Sequence, residues 1–293
     1  MKSKIVLSIK EDGRFKCRWV ACGYSQIYGQ DYHETYSPTV NFKSIVSLLH
    51  YGATMNYNIS IVDIGNAYLE TKLDKPIVML IHPYFKQIMN WSVEYIDVLG
   101  GLYGLKQAGL LWYILLCDIL SDFGLVKSDY DECCFRHPVD NLLVVIYVDD
   151  ILILSDKQDL IDGLINHLTS RLVKVKYEKA NEFTFLGVRI TRDRHGRTIN
   201  LSQPLYVESI LGQELDPNLL PSRYPIKDSN LTMASPYETG SESLRDRVRI
   251  FTRIVGKLRY LADRTRPDLQ YTLSRLASVM TRPSNEQTGS QND

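Results

Sequence analysis

LLVVIYVDDILIL, residues 142–154, sets two adjacent carboxylates, Asp149 and Asp150, inside an otherwise apolar and largely β-branched run. Its pattern predicts strand Leu142–Val148, a tight turn at Asp149–Asp150 and strand Ile151–Leu154. Two crowded like charges are expensive unless they lie exposed at a hairpin tip or a cation neutralises them. A solvated turn is the plain reading. The sharper one gains weight from Asp63, which closes a second β-branched run, Asn58–Asp63, inside VDIGNAY (62–68). Three carboxylates on adjacent strands can bridge two magnesium ions while leaving open positions for substrate phosphates, as a two-metal displacement at phosphorus requires.

Working outward, Ile5–Lys10 and Phe15–Val20 read as strands joined by Glu11-Asp12-Gly13-Arg14, a strong hairpin signal. Helical spacing marks Asn41–Asn56, Leu105–Phe123 with Gly124 as C-terminal cap, and Leu160–Leu172. Strands are expected at Phe183–Thr191 and Thr198–Ser202 around His195-Gly196. The order β-β-α-β-α-β-β-α-β-β predicts an α+β fold, a sheet of mixed connections with helices gathered on one face. A stretch rich in Pro, Ser, Asn and Asp from Asp216 to Glu242 reads as a linker. Beyond it, Ile250, Ile254, Leu258 and Leu261 form one apolar helical stripe beside Arg245, Arg249, Arg253 and Lys257.

The formal net charge is zero, 34 basic residues against 34 acidic, so any polyanion site must come from uneven distribution. Between Glu242 and Arg282 there are ten Arg or Lys and four Asp or Glu. Five cysteines without a C-x-x-C pair argue against a disulfide scaffold and a zinc cluster and fit a reducing compartment. The opening Met1-Lys-Ser-Lys leads into a strand-like run, so no signal peptide is expected, and no apolar stretch is long enough for a membrane role.

At this point the residues resemble a family, the copia-type reverse transcriptases of LTR retrotransposons, including those of yeasts. The resemblance runs collinearly through KCRWVACGYSQIYGQDYHETYSPTV (16–40), VDIGNAYLE (62–70), LYGLKQAGLLWY (102–113), YVDD (147–150), FLGVRI (185–190) and LSQPLYVESIL (201–211). It implies a right-hand polymerase with fingers and palm over residues 1–215, a linker at 216–243 and a helical, partial thumb at 244–293. The implied activity is RNA-directed DNA synthesis with two magnesium ions, or manganese in their place. Asp63, Asp149 and Asp150 fall on the family's metal-binding aspartates, with the carbonyl of Ile64 as a further ligand. Arg18, assisted by Lys10 or Lys16, falls on the fingers arginine that grips the incoming triphosphate, for which a planar, permanently charged fork is suited. Tyr68 falls on the aromatic gate that excludes a 2′-hydroxyl. Gln107 matches a segment beside the nucleotide, and Lys176 a palm lysine able to protonate pyrophosphate. Phe185, Leu186 and Gly187 resemble the primer-grip hairpin. Each also has a plain reading, as core aromatic, solvated polar residue or turn glycine.

The resemblance implies as partners an RNA or DNA template with primer, deoxynucleoside triphosphates and other Gag and Pol products of the element, without a membrane. It places the chain in cytoplasmic virus-like particles, with the nucleus as an alternative. The sequence departs from the family where Gln107-Ala108 is followed by Gly109-Leu110-Leu111 and not by Pro-Arg before Trp112. It begins almost at the fingers hairpin and stops before any RNase H carboxylate cluster, as a fragment of a longer polyprotein would. A working polymerase and a truncated, inactive transposon relic, or pseudogene fragment, with weak nucleic-acid binding are therefore both open. A metal-dependent nuclease would need a water-activating base, and no His lies near the acids in sequence.

Overall fold

The computed structural model describes residues 1–9, 13–179, 181–214 and 242–283. The chain divides into two compact units, residues 1–180 with 194–198, and residues 181–193 with 199–293. The division thus falls near residue 180, ahead of the boundary expected at 216, and the expected linker lies almost wholly outside the described residues. The fold class is the α+β one expected.

The first unit is built on a six-stranded sheet in the order β10-β3-β9-β8-β7-β6. Its strands are β3 (Asn58–Ile64), β6 (Val126–Lys127), β7 (Cys134–Arg136), β8 (Leu142–Tyr147), β9 (Asp150–Ser155) and β10 (Val175–Lys179). Every pairing is antiparallel, while the connections are mixed: the β8–β9 hairpin lies beside β3 from far upstream. Val62, Ile64, Val144, Ile151, Leu152, Ile153 and Leu154 are all 0 % exposed, so the sheet centre is covered on both faces. That explains why β8 and β9 read as continuous apolar runs with no alternation.

Three helices, α1 (Phe42–Thr54), α3 (Ala108–Asp122) and α4 (Gln158–Arg171), supply cover. Asn41 caps α1 by accepting from the Lys43 amide at 2.9 Å, and Asp131 accepts from the Asn41 amide and the Ser44 hydroxyl. His167 of α4 meets the Ile119 carbonyl of α3 at 3.0 Å and tilts against Phe123. Asp162 of α4 pairs with Lys179, which lies opposite Ser60 on β10; Ser60 and Asp63 point to opposite faces, so α4 lies on the face away from Asp63.

Two hairpins flank this sheet. One, β1 (Ser3–Ile9) with β2 (Phe15–Ala21), pairs Ile9 with Phe15 around the expected turn. The other, β4 (Lys72–Leu80) with β5 (Tyr95–Gly100), carries α2 (Pro83–Ile88) in its connection and has no counterpart in the sequence reading. Ala21, Ile77, Met79, Val98, Leu105 and Ala108 form a joint core beneath them, and Trp19 stacks on Phe85 at 4.7 Å.

The second unit contains β11 (Glu182–Phe185), β12 (Val188–Asp193) and β13 (Thr198–Ser202) as one sheet, with α5 (Pro204–Glu214), α6 (Glu242–Arg264) and α7 (Gln270–Ser278). The single strand expected over Phe183–Thr191 is in fact a hairpin, because Leu186 and Gly187 both take positive φ, 52° and 72°, and fold the chain back on itself. On α6 the buried line is Phe251, Val255 and Ala262, while Ile250, Ile254 and Leu258 are half-buried. Of the expected stripe Leu261 is buried, while beside Ile250 and Ile254 the buried line runs one residue to the side, at Phe251 and Val255. Apolar pairs such as Ile250-Phe251 let two neighbouring stripes fit a 3.6-residue period equally well. Arg245, Arg249 and Arg253 are exposed beside it.

Candidate active site

The tight turn is displaced by one residue from its expected place. Tyr147 pairs with Asp150, so the two-residue turn is Val148-Asp149, and Asp150 opens β9. Val148 carries φ 51°, a left-handed conformation that a β-branched residue adopts only at a cost. What holds it is visible: the indole Nε1–H of Trp112, itself 2 % exposed on α3, donates to the Val148 carbonyl at 2.7 Å. The Ile64 amide donates to the Asp149 carbonyl at 2.8 Å and ties the turn to β3.

This arrangement gathers the three acids. Asp63 lies directly opposite Asp150 across β3 and β9, with Asp149 on the adjoining turn. Burial and then the charge of Asp63 raise the carboxyl of Asp149, against which Arg18 and Lys16 act to lower it. Asp150 is pushed up to about 6 by burial first, then by Asp63 and Asp149. Burial is the first cause for both, and the neighbouring carboxylates add to it. One oxygen of Asp149, Oδ1, is buried and has no hydrogen-bond partner among the described residues.

A cleft of about 470 Å³ opens over Asp63 and Asp149, while Asp150, across from Asp63 on β9, is not among its lining residues. Asp63, Ile64 and Asp149 line one side; Arg14, Lys16, Arg18, Lys174 and Lys176 line the rest. Lys176 lies opposite Asp63 on β10. A stripe of acids facing five cations suits a polyphosphate carried with divalent metal, since each half of such a ligand finds opposite charge. The donor set fits a hard dication, and the partnerless Asp149 oxygen gives it a ligand already dehydrated. Among the described residues no three His, Cys, Asp or Glu side chains are grouped closely enough to hold an ion by themselves.

The remaining candidates are distributed unevenly. Tyr68 sits half-buried in the turn Ala67–Glu70 and packs edge-on against Tyr103 at 4.9 Å; burial and then Asp149 raise its phenol. Gln107 does not line the cleft. It is buried and committed to protein partners, accepting from Gln26 at 2.9 Å and donating to the Asp31 carbonyl at 3.0 Å. Phe185, Leu186 and Gly187 belong to the second unit, where Phe185 is buried and Tyr260 donates to the Leu186 carbonyl at 3.2 Å. Lys10 lies outside the described residues. Sequence reasoning passed over Tyr103, Lys174 and Arg14. Tyr103 stood within the quoted LYGLKQ segment, and Lys174 within VKVKYEK (173–179), whose strict alternation is itself a strand signal.

Comparison with known proteins bears on this geometry. Residues 2–226 match the family model described as "Reverse transcriptase (RNA-dependent DNA polymerase)". The chain is 33% identical over 278 residues to the retrovirus-related Pol polyprotein from transposon RE1 of Arabidopsis thaliana, covering 93% of this chain and 18% of that protein. It is 28% identical over 224 residues to the putative transposon Ty5-1 protein YCL074W of Saccharomyces cerevisiae, covering 76% of this chain and 70% of that protein. Among solved structures, the foamy viral protease–reverse transcriptase in complex with double-stranded DNA aligns at TM-score 0.41 and 14% identity, covering 97% of this chain and 44% of that one. The chain spans about a fifth of the plant Pol polyproteins it matches, 18% to 22% of their length.

Proposed function

The chain belongs to the reverse transcriptase (RNA-dependent DNA polymerase) family, in its copia-type retrotransposon branch, and from that premise we propose that it adds deoxynucleotides to a primer 3′-hydroxyl on an RNA or DNA template. The observation that carries this reading is the cleft in which Asp63 and Asp149 face five Arg and Lys side chains. The family implies a divalent metal, and the oxygen-only donor set favours magnesium, with manganese as a substitute. Two bound ions would activate the 3′-hydroxyl toward the α-phosphate and stabilise charge on the departing pyrophosphate.

The chain's own residues do the rest. Asp63, Asp149 and Asp150, with the Ile64 carbonyl, would hold the metals, while Arg18 grips the triphosphate with its planar fork, seconded by Lys16 and Arg14. Lys176, opposite Asp63 on β10, would give a proton to pyrophosphate. The ring of Tyr68 excludes a 2′-hydroxyl. Gln107 acts at one remove, fixing the start of α3. In the second unit, the Phe185–Gly187 turn steadies the primer strand. The exposed arginines of α6 meet duplex phosphates, an attraction that weakens with salt. Template–primer, deoxynucleoside triphosphates and other Gag and Pol products of the element are the partners, and the setting is a cytoplasmic virus-like particle. Among the described residues no helix is long and apolar enough to cross a membrane.

The test is magnesium-dependent incorporation of dTTP on poly(rA)/oligo(dT) by the purified chain. Incorporation lost in Asp149→Asn/Asp150→Asn supports the reading. A folded chain that incorporates nothing is a relic, with the acids surviving without activity.

A further inference from the structure

Tyr103 has no part in the roles assigned above, yet it lines the cleft and contacts two of the residues that have one. Its ring packs edge-on against Tyr68 with centroids 4.9 Å apart, and the Arg18 guanidinium lies 5.2 Å above it. Tyr103 also lines the cleft with Asp63 and Asp149; burial and then Asp149 raise its phenol, against which the charge of Arg18 acts to lower it. Its backbone is pinned as well, since the Ala21 amide of β2 donates to its carbonyl at 2.8 Å.

The same segment braces the turn that carries Tyr68. The Gly101 amide donates to the Thr71 carbonyl at 3.1 Å, and the Thr71 hydroxyl donates to the Tyr68 carbonyl at 2.8 Å. A Cβ on Gly101 would come within 2.5 Å of that Tyr68 carbonyl, so only glycine lets the two segments lie this close. Tyr103 therefore meets both Arg18 of β2 and the aromatic ring of Tyr68.

We propose that Tyr103 is a positioning residue that couples the triphosphate grip of Arg18 to the sugar selection of Tyr68. The face of its ring seats the guanidinium, and the same ring fixes the angle at which the Tyr68 ring meets the sugar. Both functions belong to the ring, so Tyr103→Phe, which removes only the hydroxyl, should spare them and Tyr103→Leu, which removes the ring, should not.

The inference rests on the nucleotide site proposed above, so the measurement is nucleotide binding and not turnover. The full chain is titrated with dUTP and with UTP, which differ only at the 2′ position, in calcium, which supports binding without incorporation, and the ratio of the two dissociation constants is read for each variant. Tyr103→Phe should leave both affinities and their ratio within about twofold of wild type, since the ring remains. Tyr103→Leu should weaken both nucleotides and lower the UTP-to-dUTP ratio by roughly fivefold, the stabilisation of one aromatic pair converted to affinity. A folded Tyr103→Leu chain with the wild-type ratio overturns the inference, as does a wild-type chain that binds dUTP and UTP alike. Selective binding without magnesium-dependent incorporation would count against the polymerase reading alone.

Discussion

Replacing Trp112 with Phe should damage chemistry far more than stability. The indole donates a 2.7 Å bond to the carbonyl of Val148, and Val148 is held at φ 51°. Losing that bond and leaving the carbonyl without it costs about 1–3 kcal/mol. A β-branched residue in the left-handed region stores about 1–2 kcal/mol. The two magnitudes nearly match, so without the indole the turn can relax and recover most of the loss. A urea melt of Trp112→Phe should accordingly show a net destabilisation of at most about 1 kcal/mol. Asp149 moves with the relaxing turn, and each 1.4 kcal/mol of lost transition-state stabilisation is tenfold in rate. Primer extension should fall about 10-fold to 100-fold, with a raised magnesium requirement. Adding Val148→Gly, which takes positive φ without strain, should restore part of that activity, a non-additive result expected only of coupled sites. A folded Trp112→Phe chain with wild-type rate and magnesium dependence would refute the reasoning.

Asp150 gives a pH test in the presence of a chelator. Its folded value, about 6, lies above the ordinary aspartate value, so the folded chain binds more protons than the unfolded chain in between. Stability should therefore fall as pH rises from about 4 to 6, by at most about 3 kcal/mol, and Asp150→Asn should flatten that part of a urea-midpoint profile. Burial raises both Cys133 and Cys134 to about 12, whereas Cys17 is exposed. Iodoacetamide at pH 8 should label Cys17 in the folded chain and reach the other two only after denaturation, as peptide mass mapping would show. Gln107→Leu should cost about 1–3 kcal/mol through stranded partners on Gln26 and Asp31 while dTTP affinity changes less than threefold; a large affinity loss at constant stability would place Gln107 in direct contact with nucleotide.

The hairpin around the paired acids, the strand ending near Asp63 and the helices led by Asn41 and Ala108 were legible because each carries its own period and punctuation. What escaped was set by tertiary context. The turn register could not be read locally: Asp149-Asp150 looks like the tip, but Trp112, far off in sequence, holds Val148 there. The β4–β5 hairpin, interrupted by α2, lacks a short turn signal between its strands. Tyr103 reads as one aromatic among nineteen tyrosines until the fold sets it between Arg18 and Tyr68. Gln107 went the other way, since a buried amide answered by Gln26 cannot be told from an exposed one by sequence.

If Asp63, Asp149 and Asp150 and the five cations near them build one metal–triphosphate site, manganese should bind the purified chain saturably in electron paramagnetic resonance titrations, and dTTP should tighten that binding. Asp63→Asn and Asp149→Asn should each abolish it. No binding with dTTP present, or binding that survives either substitution unchanged, would show that these residues do not form such a site.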